Sequence, residues 1–233
     1  MGRNGKSLYT QNDQSQIYRF NGIYQLPADF QLGINYLYTS TKRTGEDPFS
    51  PVYRIPYLEP QHVGSHFTGL SLETVKFGKR LHANVFLKHY GYRSSINDVI
   101  LTTEYEVVNY QNEVANWGGG FAASYKLFNT LLLKSSVEQA TRMPSPTEAL
   151  GDGVTIVNNP LIKPEQSFNT NIGGVFGRYE LGRSHGVKVA MNTFYRDVKD
   201  QLLFTIISGQ GEGMYQNINK VSGAGAELDV VFD

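Results

Sequence analysis

The histidines and acidic residues of the loop-like stretches are the first candidates for chemistry in this chain. His62 and His66 have the four-residue spacing with which one helix face presents two imidazoles to a metal ion. They lie in a proline-rich stretch, so we interpret them as ordinary loop residues. Glu148 and Asp152 either form an acidic rim or belong to a solvated loop, and the solvated loop is the favoured interpretation. We therefore expect no catalytic, cofactor-binding or metal-binding residues.

Motifs of the common catalytic sites are missing from the sequence. It has no Gly-x-Ser-x-Gly, no His-Glu-x-x-His and no complete Gly-x-x-x-x-Gly-Lys-Ser/Thr phosphate loop, and the glycines at 209–213 lack the helix that would follow a nucleotide loop. The absence of cysteine removes thiolate metal sites, cysteine nucleophiles and disulfides. With 21 basic and 21 acidic residues, the chain has no excess of positive charge for nucleic acid. An enzyme, a bound cofactor and a nucleic-acid partner are not expected.

Alternation of apolar and polar residues with a period of two recurs along almost the whole chain. Tyr18 and Phe20, for example, alternate with Arg19 and Asn21, and helical periodicity is nearly absent. Strands are predicted near 15–24, 31–40, 67–77, 81–92, 117–127, 131–141, 167–179, 186–200 and 226–232. Tight turns are predicted at 27–29, 78–79, 129–130 and 181–185.

The connections between the predicted strands alternate between short and long. The long ones are residues 41–66, 93–110 and 142–165. Short periplasmic turns and long extracellular loops are typical of outer-membrane barrels, and no run approaches the ~20 apolar residues that a membrane helix needs. The sequence therefore predicts an all-β fold, an antiparallel transmembrane β-barrel segment of about nine to ten strands.

The two faces of this predicted sheet differ in chemistry. Tyrosines and phenylalanines cluster near strand ends, where a membrane–water girdle would place them, although aromatic pairing in a soluble sheet produces a similar pattern. Polar residues alternate with them and are predicted to face a hydrated lumen. They are Arg19, Asn35, His82, Lys88, Lys126, Lys188 and Glu227.

Sequence motifs over residues 141–233 carry a family resemblance. They are Thr-Arg-Met-Pro-Ser-Pro-Thr-Glu-Ala-Leu-Gly-Asp-Gly at 141–153, Asn-Pro-Leu-Ile-Lys-Pro-Glu-Gln-Ser-Phe-Asn at 159–169, Phe-Tyr-Arg-Asp at 194–197 through Gln-Leu at 201–202, Tyr-Gln-Asn at 215–217 and Val-Ser-Gly-Ala-Gly-Ala-Glu at 221–227. This segment resembles the barrel domain of TonB-dependent outer-membrane receptors. Residues 1–140 fit the same family by their pattern more than by motif.

The second of these motifs has a physical logic of its own. Pro160 and Pro164 fix φ and force the residues before them into extended backbone, which guides the chain from a loop into a strand. Glu165 and Asn169 are then placed to accept hydrogen bonds from backbone N–H groups that are otherwise unpaired. Gly223 and Gly225 predict a bend or bulge where the last strand begins.

The resemblance also implies parts that this sequence does not contain. Such receptors have an amino-terminal plug and a short segment that contacts TonB, and neither is recognisable here. The amino terminus has no apolar signal region, and the chain stops in an alternating strand at Phe232-Asp233. We therefore expect residues 1–233 to be an interior part of the barrel domain, without the plug and the closing strands.

The function implied by the resemblance is active transport. Such a receptor sits in outer-membrane lipid, binds a scarce substrate (a ferric siderophore, haem, cobalamin or a glycan) and imports it with energy from the TonB complex, which it contacts through the plug region. Loops 41–66, 93–110 and 142–165 are the candidate substrate-binding surfaces. Two alternatives stay open: a small passive pore or adhesin barrel, and a soluble carbohydrate-binding or hydrolytic β-domain.

Overall fold

The computed structural model of the protein describes residues 10–46, 48, 59–101, 105–177, 186–209 and 211–232. Ten strands and one short helix account for most of them. The elements are β1 (Thr10–Leu26), β2 (Phe30–Glu46), β3 (Gln61–Lys76), β4 (Leu81–Leu101), β5 (Tyr105–Phe128), β6 (Leu131–Arg142), α1 (Pro146–Leu150), β7 (Ile156–Val157), β8 (Glu165–Gly177), β9 (Val187–Ile206) and β10 (Gly213–Phe232). The prediction of an all-β chain with nine or ten strands is confirmed.

All ten strands belong to a single sheet in the order β1-β2-β3-β4-β5-β6-β8-β9-β10-β7. The long strands pair antiparallel with their neighbours in sequence, and only the two-residue β7 joins β10 in parallel. Within the described residues no pairing connects β1 to β10, so the sheet is open. A sandwich of two packed sheets, which the soluble alternative predicted, is not the arrangement of these residues.

Tight turns join the strands at one end of the sheet. Backbone with positive φ at Ala28 and Asp29 reverses the chain between β1 and β2, and Phe77, Gly78 and Lys79 do the same between β3 and β4. The predicted turns at 27–29, 78–79 and 129–130 are therefore confirmed. The predicted turn at 181–185 lies outside the described residues.

The pairing register gives the sheet two chemically distinct faces. Tyr18, Tyr38 and His66 are direct cross-strand partners on one face, which also carries Leu87 and Phe121 and is called the outer face below. Side chains alternate along each strand, so the residues between them form the opposite, inner face. The seven polar residues predicted to face a lumen all lie on this inner face: Arg19, Asn35, His82, Lys88, Lys126, Lys188 and Glu227.

One of the predicted long loops is mostly strand, and a second begins and ends in strand. Residues 93–101 continue β4 and residues 105–110 begin β5, so 93–110 is the end of a long hairpin and the loop prediction is wrong. Likewise, 41–46 belong to β2 and 61–66 to β3. Polar residues on both faces of these extensions hide the alternation, because the outer face carries few apolar residues there, while the inner face buries polar groups such as Arg43 and Ser94 beside Ile96.

Two smaller predictions also need correction. His62 and His66 lie in β3 and not in a loop, and both point to the outer face. The glycines of β10 make no bulge: its register with β9 is regular, and the Phe194 ring lies over Gly225. The irregular position is instead in β5, between Lys126 and Phe128.

Candidate functional site

The chain between β6 and β8 folds inward against the inner face at the end of the sheet opposite the tight turns. Residues 143–164 are called the inner segment below. Its side chains Ala149, Leu150 and Ile162 are fully buried. They form a core cluster with residues of β3, β4 and β9, namely Val63, Tyr92, Ile96 and Leu202. Removal of these apolar surfaces from water is what holds the inner segment against the sheet.

Helix α1 is built by the first of the sequence motifs. The Ser145 hydroxyl accepts a hydrogen bond from the Glu148 amide, and the Glu148 carboxylate accepts one from the Ser145 amide, which completes a capping box. Pro146 opens the helix, where it costs no hydrogen bond. Gly151 ends it with φ +69°, and a Cβ there would lie 2.2 Å from the Ile156 carbonyl oxygen.

Asp152 organises the turn that follows the helix. Its Oδ1 accepts hydrogen bonds from the backbone amides of Val154, Thr155 and Ile156 at 2.7–2.8 Å. Burial alone would raise the pKa of Asp152, but these bonds and the one from the Thr155 hydroxyl hold it below its usual range. Asp152 is thus an internal acceptor of the turn, and it does not form the acidic rim that the sequence left open.

A buried arginine of β2 ties the inner segment to the first two strands. Arg43 is 4% exposed and pairs with Asp13 of β1 through two hydrogen bonds of 2.7 and 2.8 Å. Its remaining terminal nitrogen donates to the carbonyl oxygen of Gly151. The side-chain hydrogen bonds from Arg43 hold the pKa of Asp13 below its usual range, although burial alone would raise it. One guanidinium therefore joins three parts of the chain.

Asparagine amides make the next set of anchors. The Asn158 side chain donates to the Asn97 carbonyl oxygen on β4 at 2.6 Å, and Asn159 donates to the Tyr215 carbonyl oxygen on β10 at 2.7 Å. Asn112 of β5 donates to the Ile162 carbonyl oxygen at 3.1 Å. These bonds fix the backbone of the inner segment to three strands.

Asn217 of β10 closes the far end of the inner segment. Its amide group donates to the Lys163 carbonyl oxygen and accepts from the Lys163 amide, both at 2.9 Å. The same group donates to the Asp200 carbonyl oxygen on β9. These two reciprocal hydrogen bonds resemble those between paired β-strand residues, and they lie just before the chain enters β8.

Arg142 and two carboxylates form an ionic cluster where the inner segment meets β6 and β8. The guanidinium contacts Glu165 at 2.8 Å and Glu148 at 3.1 Å. Glu165 also accepts a 2.6 Å hydrogen bond from the Leu202 amide, so its predicted role as an acceptor for a backbone donor is confirmed. Burial alone would raise the pKa of both carboxyls, but the hydrogen bonds from Arg142 hold both pKa values below their usual range. The pKa of Arg142 is in turn raised, mainly by its hydrogen bond to Glu165.

A second feature of the inner face is a hollow nearer the tight turns, with a volume of about 520 Å³. Its lining is mixed: small apolar residues such as Ala122 lie among polar ones, which include Glu73, His82, Asn84, Lys134, Asn171 and Asn192. Beside it, Lys88 of β4 and Glu138 of β6 form an ion pair across β5. This part of the inner face combines hydrogen-bonding groups with apolar surface.

The three predicted substrate-binding segments meet at one place in the fold. Arg43 from 41–66 and Asn97 from 93–110 both bind the inner segment within 142–165. Sequence reasoning missed the anchor Asn112. It included Leu202, Tyr215 and Asn217 only as parts of the family motifs, and those motifs were the one signal that pointed to them.

Among the residues that the structure describes, no three His, Cys, Asp or Glu side chains are grouped as a metal site would require. Within the same residues, no helix has the length and apolarity to cross a membrane.

Comparison with known proteins identifies the family. The family model "TonB dependent receptor-like, beta-barrel" matches residues 2–233. The chain therefore belongs to the TonB-dependent receptor β-barrel family, whose members are transport receptors of the Gram-negative outer membrane. No curated protein matches the sequence.

Solved structures agree in fold. The chain is similar to the Serratia marcescens hemophore receptor HasR, solved in complex with its hemophore HasA and heme (16% identity, TM-score 0.66, 97% of this chain and 40% of HasR). It is also similar to the copper transporter OprC (14% identity, TM-score 0.71, 95% of this chain and 35% of OprC). A third similar structure is the FrpB iron transporter from Neisseria meningitidis, F5-1 variant (14% identity, TM-score 0.66, 94% of this chain and 34% of FrpB). The chain thus spans well under half of these relatives.

Proposed function

We propose that the chain is part of the barrel wall of an outer-membrane receptor that takes up a scarce substrate with energy from TonB. The observation that carries this proposal is the inner segment, which is packed and hydrogen-bonded against the inner face at the long-loop end. An outward apolar face and an inward polar face support placement in a bilayer around a hydrated interior.

The substrate is proposed to be a ferric siderophore, haem, cobalamin or a glycan, bound on the external side. Segments 41–66, 93–110 and 142–165 are the proposed recognition surfaces, because their described parts converge at the long-loop end. Proteins similar in fold are described as a hemophore receptor, an iron transporter and a copper transporter. The chain covers 40% of HasR, and we propose that a plug and the TonB contact belong to other segments of the same protein.

An uptake experiment tests the function. The gene that encodes this chain is deleted in its host, and uptake of radiolabelled ferric siderophores, haem and cobalamin and of a fluorescent glycan is measured, with and without a protonophore. We expect the deletion to abolish uptake of one substrate class, and the protonophore to abolish the same uptake in the parent strain. Normal uptake of all four classes after deletion would contradict the proposal. Loss of a protonophore-insensitive flux would favour the passive pore instead.

A further inference from the structure

The outer face of β1–β5 changes its chemistry abruptly along continuous strands. A row of rings crosses these strands at Tyr18, Tyr38, His66, His89 and Trp117. The ring centroids of His66 and His89 are 5.3 Å apart, and those of His89 and Trp117 are 4.7 Å apart. Trp117 is 64% exposed. The row is called the ring row below.

Apolar side chains occupy the outer face between the ring row and the tight turns. Phe20, Leu70, Leu87 and Phe121 are all substantially exposed there. The outer-face positions that directly follow the ring row on the other side are small or polar. In β2 they are Ser40 and Lys42, and in β5 they are Ala115, Glu113 and Gln111.

The strands themselves continue past the ring row, for twelve residues in both β4 and β5 (Tyr90–Leu101 and Tyr105–Asn116). The end of the sheet therefore does not explain the change. A change of surroundings explains it. The ring row marks the boundary between hydrocarbon and headgroups, where the aromatic residues of membrane barrels are concentrated.

A second row of side chains lies four residues beyond the ring row on each strand. Lys42 follows Tyr38, His62 precedes His66, and Arg93 follows His89 by this spacing. Four residues advance a strand by ~13 Å, or ~9–10 Å along the membrane normal at a tilt of about 40–45°. The polar layer of one leaflet is about 5–8 Å thick, so the backbone of the second row lies just beyond it. The long side chains of Lys42 and Arg93 can reach back from there to the headgroups.

The groups in this second row suit a phosphate. Lys42 is the direct cross-strand partner of His62, and no described residue forms an ion pair with it. Arg93 pairs only with Glu113 at 2.9 Å, and both side chains are about 70% exposed, so this ion pair is weak and exchangeable. The His62 ring receives or donates a 2.8 Å hydrogen bond with the Ser40 hydroxyl and lies over Gly64, whose partner on β4 is Arg93.

His62 acts in this row as a neutral hydrogen-bonding group. Burial and the positive charge of Arg93 hold its pKa below its usual range. Lys42 and Arg93 therefore carry the positive charge, next to the carboxylate of Glu113. A lipid with acyl chains against Leu87 and Phe121 brings its headgroup to these cations.

We propose that the outer face of β2–β5 binds a phosphate-bearing lipid headgroup through Lys42, His62 and Arg93, with its acyl chains below the ring row. This inference rests on the proposed placement in the outer membrane. It adds a specific lipid site to that placement and involves none of the residues of the inner segment.

Trp117 makes the test specific, because it is the single tryptophan of the 233-residue chain. The chain is reconstituted in phosphatidylcholine nanodiscs whose acyl chains carry bromine at different depths, and far-UV circular dichroism checks strand content. We expect strong quenching by bromine near the headgroup end and weak quenching by bromine at the chain end. Absence of quenching at every depth would overturn the membrane placement itself.

A second arm tests the headgroup. Equal amounts of bisphosphoryl lipid A and phosphatidylcholine are offered to the chain, and retained lipid is counted by native mass spectrometry. We expect a preference for lipid A that falls about tenfold or more in the double variant Lys42→Gln/Arg93→Gln, because each cation near an anionic surface contributes to lipid binding. Lys134→Gln, on the inner face, is the matched control and keeps the preference.

The outcomes distinguish a failure of the lipid site from a failure of the membrane placement. Normal depth-dependent quenching without a preference for lipid A, or a preference that the double variant keeps, would overturn the lipid site and leave the membrane placement standing. Displacement of lipid A by millimolar inorganic phosphate would assign the site to free phosphate and overturn the lipid proposal. Retention of lipid A under the same phosphate supports it.

Discussion

Lys88 and Glu138 form an ion pair with an Nζ–Oε1 distance of 2.5 Å, although the strands that carry them are not neighbours. β5 lies between β4 and β6, and the pair crosses it on the inner face. Gly118 is the cross-strand partner of Lys88, and Gly120 is the partner of Glu138. Because these two positions lack side chains, the long charged groups meet above the strand.

The first prediction concerns Gly120. A Cβ at this position would lie 2.3 Å from the Val137 carbonyl oxygen and 2.7 Å from the Phe86 ring. Gly120→Ala should therefore lower the free energy of unfolding by ~1–3 kcal/mol, measured by denaturant titration in detergent micelles. Gly223→Ala is the control, since a Cβ there meets nothing within 4 Å. Equal effects of the two substitutions would contradict the close packing at Gly120.

The second prediction concerns Arg43. Its replacement by leucine leaves Asp13 and the Gly151 carbonyl oxygen without their donor. Asp13 is one-third exposed, which reduces the cost, so we expect a loss of about 2 kcal/mol and faster hydrogen exchange of amides 151–158. Arg93→Leu removes the exposed pair with Glu113 and should cost under ~1 kcal/mol. Unchanged exchange at 151–158 in Arg43→Leu would show that the arginine does not anchor the inner segment.

A pH dependence follows from the carboxylates of the inner segment. Burial alone would raise the pKa of Glu165, but hydrogen bonds from Arg142 and from the Leu202 amide outweigh this effect. The pKa of Glu165 therefore lies below its usual range in the folded protein. The folded state then binds protons less readily than the unfolded state. This stabilisation is complete above the unfolded pKa of about 4.5 and is lost as the pH falls through the folded value.

Thermal unfolding between pH 7 and pH 3 measures this effect. The wild type should lose stability below about pH 4.5, and Glu165→Gln should start less stable and fall less over the same range. Glu113→Gln, at the exposed Arg93 pair, serves as the control and should keep the wild-type profile. A Glu165→Gln profile parallel to that of the wild type would exclude Glu165 as a source of the pH dependence.

The fourth prediction separates the buried and exposed leucines of the inner segment. Leu150 is fully buried, whereas Leu161 is 69% exposed. Leu150→Asp places a charge in the core cluster and should release residues 143–164 to protease while the strand content by circular dichroism is unchanged. Leu161→Asp should leave protease resistance unchanged. Protection of the inner segment in Leu150→Asp would show that the core cluster does not hold it.

Much of the sheet was predictable because each strand carries its own signal. Alternation at Tyr18–Asn21 and at Trp117–Phe121 identified the strands and assigned their faces correctly, since one face must meet an apolar medium and the other a polar one. The turn residues Gly78 and Lys79 were found for the same local reason. The hairpin extension at 93–110 was missed, because Ser94 and Asn97 are buried there together with Ile96, and a local apolar–polar alternation is therefore lacking.

The inner segment was recognised as a long connection, but its position was not. The motif around Ser145 and Glu148 encodes the helix cap, which is local. The anchors that draw the segment inward come from Asn97, Arg43 and Tyr215, which are 56–108 residues away from their partners. A single sequence holds no signal that pairs such distant groups.

The sequence by itself determined the strands, their two faces and the family, because alternation, turn residues and proline motifs act over a few neighbouring positions. Only the tertiary structure decided that Lys88 reaches Glu138 above two glycines and that Arg43 closes on Gly151. It also decided that the ring row aligns across five strands, with the cations Lys42 and Arg93 beyond it on β2 and β4. These relationships depend on the register between strands, which cross-strand pairing sets and which no local segment contains.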